Sequence, residues 1–206
     1  MTREEIVEDV AYVRNLAEQG RDAPLIGGGF LVLFGSLLAV CYAAQWALLT
    51  DAFGHAPALA YPLLWIVYGV AAGVGGVTLA RRVVKLPGAS AIVNRVDRTV
   101  WRGASLGIGV VILGTIVRAT MQQDPMAPNA IMAAAFTLFG VAQGATAVIS
   151  GKAWLRSVSL LSFAVSVVLW IFINEPWAYL LAAGASICVL LVPGVVLMRQ
   201  EPRAVR

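Results

Sequence analysis

Residues 81–102 read RRVVKLPGASAIVNRVDRTVWR, and the reading of this stretch decides the fold. It holds six of the fifteen basic side chains (Arg81, Arg82, Lys85, Arg95, Arg98, Arg102), and a long apolar run lies on either side. Lys and Arg near the end of a hydrophobic run resist translocation, so a basic block between two such runs reads as a loop held on the cytoplasmic side of a membrane. The orientation of every other segment follows from it.

Working outward, six apolar runs qualify as spans by length: 25–49, 58–80, 103–119, 128–150, 153–173 and 176–198. At 1.5 Å per residue, about 20 residues cross a hydrocarbon layer of about 30 Å. Apolar residues make up 60% of the 206, the mean hydropathy is +0.83 and only 13% of residues are charged. A soluble domain of this size has too little interior to hide that much apolar surface. The expected fold is therefore an all-α integral membrane protein with six transmembrane helices, an N-terminal cytoplasmic amphipathic helix and an interfacial basic helix between spans two and three. Residues 1–24 form the cytoplasmic helix and linker, 25–198 the membrane domain and 199–206 a cytoplasmic tail. Because residues 1–24 are polar and acidic, without the basic-then-apolar order of a cleavable leader, the first span is expected to insert by itself.

The charge distribution supports this threading. With the N-terminus inside, Arg118 is the one basic residue on the far side, and the other fourteen fall on the cytoplasmic side. Both termini are thus expected in the cytoplasm of a bacterial cell, the protein lying in its inner membrane. The sequence pI of 9.4 follows from this asymmetry. It is not a nucleic-acid signal, since the basic residues sit at span ends without interleaved aromatics.

Two amphipathic segments lie on the cytoplasmic side. In residues 1–20, Thr2 and Glu5 have capping-box spacing, and Ile6, Val10, Val13 and Ala17 share one face. Such a helix can rest on the bundle or the membrane surface, or dock a partner protein; Glu4, Glu5, Glu8 and Asp9 make it acidic and repelled by anionic lipid, which tilts the reading toward protein contact at Ile6, Val10 and Val13. In the central loop, Ile92, Val93, Val96 and Val100 are expected on one face, with Asn94, Arg95, Asp97, Arg98 and Arg102 on the other. Arg95, Arg98 and Arg102 suit anionic headgroups.

Packing of the spans is expected to rest on small residues: the GxxxG pairs Gly69/Gly73, Gly103/Gly107 and Gly140/Gly144, and Gly35 with Ala39 and Ala43 in span one. Such pairs usually serve internal packing, and homo-oligomer contact is the other use. Gln143 reads as interhelical hydrogen-bond glue, and Cys41 and Cys188 as buried small hydrophobes.

Chemistry within a membrane usually shows as ionisable residues at mid-span, and none stands there. No nucleophile–base pair, phosphate loop or metal motif is present; His55 is the one histidine, so neither metal nor cofactor is expected. On the far side Arg118, Asp51, His55, Gln122 and Glu175 are candidate ligand-binding residues of an outer vestibule, with Gln45, Tyr61, Asn129 and Asn174 beside them; the structural alternative for Arg118 is snorkelling to the outer headgroups or a salt bridge to Asp124, Glu175 or Asp51. The resulting expectation is a non-catalytic accessory, assembly or signal-coupling subunit that docks partners on its cytoplasmic face. The alternative is a small-solute transporter or channel with Arg118 at its mouth.

Overall fold

The computed structural model describes residues 24–201, and all regular structure among them is helical. Six helices are long and apolar enough to cross a membrane. They are α1 (Gly28–Leu49), α2 (Ala60–Val83), α3 (Ile92–Met121), α4 (Ala130–Ser150, entered through a 3₁₀ turn at Ala127–Asn129), α5 (Trp154–Ile171) and α6 (Trp177–Gln200). Residues Ile6, Val10 and Val13, and with them the expected N-terminal helix, lie outside the described residues.

The helices form two groups of three. In one, α1 packs between α2 and α6; in the other, α4 packs between α3 and α5. Direct contact between the groups is sparse, along α5 and α6. The buried side chains of Met132, Phe136, Tyr42, Leu169 and Leu190 belong to one cluster that fills the space between them. α2 and α3 flank the bundle, each packed along a single face, with outward side chains such as Val70, Val74, Val110 and Leu113 exposed. Such faces suit lipid, which solvates Val and Leu as well as a protein core does.

Within each group small residues set the spacing. A methyl group on Gly28 would lie 2.5 Å from the Met198 nitrogen and 2.7 Å from the Gly194 oxygen. One on Gly35 would lie 2.6 Å from the Leu191 nitrogen, and one on Gly194 2.7 Å from the Val32 nitrogen. At this crossing α1 and α6 therefore meet backbone to backbone. Between α4 and α5 the contact is polar. Ser159, Ser162 and Ser166, all buried, donate to the carbonyls of Gly140, Phe136 and Ala133 at 2.6, 2.7 and 2.7 Å. Their spacing of three and four residues keeps them on one face of α5, so each hydroxyl meets the next turn of α4. Gly140 and Gly144 lie on the same contact, against Phe163 and Ser159.

α6 contains one wide turn, Ile187–Leu191, with the π pattern of hydrogen bonding. Its cause is two residues further on. In a regular helix the Val189 carbonyl would accept from the nitrogen of residue 193, but that residue is Pro193, which has no N–H. The lost donor comes from α4: Gln143 Nε2 donates to the Val189 oxygen at 3.0 Å. Gly35 makes room on the other side, against Leu190 and Leu191. The glutamine thus does act as interhelical glue, at a place a proline dictates.

The basic stretch differs from the sequence expectation in two ways. No separate interfacial helix precedes span three; α3 runs unbroken for 30 residues, about 45 Å at 1.5 Å per residue. Its facing is also rotated. Val93, Asn94, Asp97 and Ala104 are buried against the bundle, whereas Ile92, Arg95, Val96, Thr99 and Arg102 point outward. The reason is hydrogen bonding, for Asn94 and Asp97 each find partners inside that outweigh their polarity. Cys188, in the wide turn, is exposed, unlike buried Cys41.

Candidate functional site

The far end of the bundle holds the residues singled out as a vestibule, and they fall into local pairs. Arg118, in the last turn of α3, meets Asp124 at 3.0 Å. His55 meets Asp51 at 3.5 Å within the α1–α2 loop, both exposed. Asn129 accepts the Tyr179 hydroxyl at 2.7 Å and donates to Asn174 at 3.3 Å. Gln122 caps the end of α3 through its backbone, and the Glu175 N–H bonds the Phe172 carbonyl. Gln45 is buried and accepts from the Trp65 indole at 3.1 Å. Tyr61 donates to the Leu48 carbonyl. Among the described residues no ion pair or hydrogen bond joins the Asp51–His55 pair to the Arg118–Asp124 pair.

The basic end is more tightly built. The chain enters the bundle at Pro24, and Asn94 holds that entry with all its polar atoms. Its Oδ1 accepts the Ile26 N–H at 3.0 Å, and its Nδ2 donates to the carbonyls of Pro24 and Gly88, each at 3.0 Å. Arg98 closes the same turn by donating to the Ala89 carbonyl at 2.8 Å. One turn further along α3, Asp97 accepts the Thr146 hydroxyl of α4 at 2.6 Å. At the other edge Lys152 donates to Gln200 at 2.7 Å.

The triple glycine 27–29 opens α1 in the middle of this network. Read from sequence it lacks the residues of a phosphate loop, and its N–H groups instead receive carboxylates of the chain itself. Glu201, just past α6, accepts the Gly28 N–H at 3.1 Å, close to the Gly29 N–H and Arg82. The Asp97 carboxylate lies 3.3 Å from where a Gly27 side chain would begin. Both acids thus lie at the positive end of the α1 dipole, where negative charge is favoured. Sequence reasoning missed both. For Asp97 a signal existed, since it is the one acidic residue among the six basic ones of residues 81–102. Glu201 carried none.

Burial raises the Glu201 pKa above its ordinary 4.5, outweighing the lowering effect of the Gly28 N–H, Arg82 and the Gly29 N–H. A raised carboxylate pKa means the folded protein holds the proton where the unfolded chain has lost it. Stability from this group is therefore full below about pH 4.5 and falls as pH rises through the folded value. Thermal unfolding in detergent between about pH 4 and about pH 7 should show that fall, and Glu201→Gln, which still accepts from Gly28, should flatten it.

Outward of this network lies the remaining surface of α3. Ile92, Arg95, Val96, Thr99 and Val100 form the outward face of α3 here, and Arg102 extends its basic edge. Ile92 is 70% exposed and Val96 40%. Among the described residues Arg95 and Arg102 have no ion-pair partner. Inside the bundle most polar side chains are occupied with backbone and with one another, Gln143 Oε1 being the exception among the described residues, whereas Arg95 and Arg102 of this strip are exposed. No group of three or more metal-ligating side chains exists among the described residues.

No protein-family model matches the chain, and neither the curated proteins nor the solved structures yield a significant match.

Proposed function

We propose that the protein is a non-catalytic accessory, assembly or signal-coupling subunit of the bacterial cytoplasmic membrane, with its basic end in the cytoplasm and partners docking there. One observation carries the reading. Most polar side chains within the bundle are engaged in structural hydrogen bonds, Gln143 Oε1 being the buried atom left without a partner among the described residues, while Arg95 and Arg102 stand exposed beside apolar Ile92 and Val96 at the basic end. Exposed basic side chains at the headgroup level also attract anionic lipid, at about 1 kcal/mol each. The bilayer and its anionic headgroups are therefore partners of the same surface.

The test is native mass spectrometry of the protein taken from its own membrane into nanodiscs. A second polypeptide at fixed stoichiometry is expected with the full chain. It should be lost on deleting residues 1–20 or on Arg95→Glu with Arg102→Glu, while membrane insertion persists. A chain that carries no second polypeptide, or that keeps it through both changes, ends the proposal.

A further inference from the structure

We infer that the basic end of the seam between α2 and α3 is a site for one anionic lipid whose headgroup carries two phosphates, Arg81 and Lys85 meeting one phosphate and Arg95 and Arg102 the other. The inference rests on the threading used above, which places this end in the cytoplasmic leaflet. It turns a general attraction between lipid and a basic surface into one site of fixed stoichiometry.

Three observations lead there. The first is level and charge. The apolar run of α2 ends at Ala80 and that of α3 begins at Gly103, so Arg81 and Arg102 border the same surface of the hydrocarbon layer. Lys85 and Arg95 lie further out, at the headgroups, and all four side chains are exposed. The one carboxylate of residues 81–102, Asp97, is buried and bonded to Thr146. Arg82 lies near Glu201, and Arg98 donates to the Ala89 carbonyl. Four positive charges thus face the headgroups, and guanidinium matches phosphate with paired hydrogen bonds.

The second is that the two basic pairs are held apart and held still. α2 and α3 make little direct contact with each other, and residues 84–91 join them. That link is fixed: Asn94 donates to the Gly88 carbonyl and Arg98 to the Ala89 carbonyl, while Val83 and Ala89 pack with Ile26 in one buried cluster. The helix ends that carry the basic pairs are therefore placed before any lipid arrives, which lowers the cost of binding. Two pairs on two separate helices match a headgroup with two phosphates, whereas a single phosphate leaves one pair unused.

The third is what lies deeper along the same two helices. Val74 and Val77 of α2 and Leu106 and Val110 of α3 are exposed, and hydrocarbon is the solvent they suit. Gly73 and Gly103 would meet nothing within 4 Å if they carried a side chain, so they leave shallow recesses in these walls. Acyl chains anchored by their headgroup at the four basic residues run along such walls. The basic pairs and the apolar walls together select an amphiphile, not a free anion.

Native mass spectrometry of the full chain in detergent tests it, by titration with diphosphatidylglycerol or, at equal total phosphate, with singly charged phosphatidylglycerol. One diphosphatidylglycerol per chain should be retained, several-fold more tightly than phosphatidylglycerol. Arg81→Gln with Lys85→Gln should weaken that binding about tenfold, and so should Arg95→Gln with Arg102→Gln. Lys152→Gln with Arg199→Gln, which removes two basic residues from the ends of other helices, should leave it unchanged. All these changes fall outside the buried core, and lipid-free thermal unfolding that matches the parent's verifies the fold of each variant. Equal retention of the two lipids overturns the inference, because the second phosphate is then not read. A loss confined to one basic pair means a contact with one phosphate and overturns it too. An equal loss in the Lys152 and Arg199 variant assigns the binding to diffuse surface charge, with the same consequence. The readout is a lipid and not a second polypeptide, so this inference and the docking proposal can fail separately.

Discussion

Gly28→Ala, Gly35→Ala or Gly194→Ala should each lower the unfolding free energy by about 3 kcal/mol, while Gly69→Ala and Gly73→Ala change it by no more than about 0.5 kcal/mol. The contrast rests on what the new methyl group meets. At the first three positions it falls 2.5 to 2.7 Å from backbone atoms of the facing helix, and backbone cannot rotate away as a side chain can. Relief requires α1 and α6 to separate, which opens space along a contact that dispersion holds together. At Gly69 and Gly73 nothing lies within 4 Å. The gain in helix propensity there is also small, because a membrane span stays helical when the bundle comes apart. Reversible unfolding in mixed micelles, titrated with a denaturing detergent, reads both sets. Equal losses at Gly35 and Gly73 would show that α1 and α6 do not meet as described.

Asn94→Leu should cost about 3 kcal/mol and free the entry of the chain at Pro24. The Ile26 N–H and the Pro24 carbonyl lose their partner at once, and the Gly88 carbonyl keeps only the Ala91 N–H. With Leu25 and Ile26 almost wholly buried, water does not reach the vacated N–H without local opening. Asn94→Asp is not a conservative rescue, since a carboxylate offers no donor to the two carbonyls. Hydrogen exchange at the Ile26 amide checks the mechanism: fast in Asn94→Leu, slow in the parent, and slower in Asn94→Asp than in Asn94→Leu, because the carboxylate still accepts that N–H. Exchange that stays slow in Asn94→Leu would mean another group holds this entry.

These residues also show what the sequence made legible. The six helices were readable because lipid demands long apolar runs whatever their packing, and the six runs are present as helices. Side-chain facing was harder. A helical wheel sorts α3 by polarity and sends Asn94 and Asp97 to water, but a wheel contains no Pro24 carbonyl and no Thr146 hydroxyl. Glycine spacing misled for a related reason. Gly140/Gly144 does pack against α5, yet Gly69/Gly73 faces outward and Gly103 meets nothing within 4 Å. The tightest crossing uses Gly28, Gly35 and Gly194, on two helices distant in sequence; of these only Gly35, read with Ala39 and Ala43 as a packing stripe of span one, was marked by its spacing. The serine ladder of α5 was equally silent, because Ser159, Ser162 and Ser166 become meaningful only against the carbonyls of α4. At the far end the salt bridge weighed for Arg118 with Asp124 is present, whereas no hydrogen bond or ion pair among the described residues joins Arg118 to Asp51, whose partner is His55.

The pairing of α1 with α6 has a bearing on how the protein is made. α1 leaves the ribosome before every other described helix and α6 after them, so the groove at Gly28 and Gly35 waits in the bilayer through the synthesis of four intervening helices. During that interval α2 can hold only one side of α1, since its contacts fall on Gly29, Leu33 and Phe34 rather than on Gly28 and Gly35. The residues of α3, α4 and α5, with the serines and Gln143 they carry, all precede Pro193 in the chain. Among the described helices α6 is therefore the one that closes the bundle, meeting its groove on α1 and, at Val189, the Gln143 amide of α4.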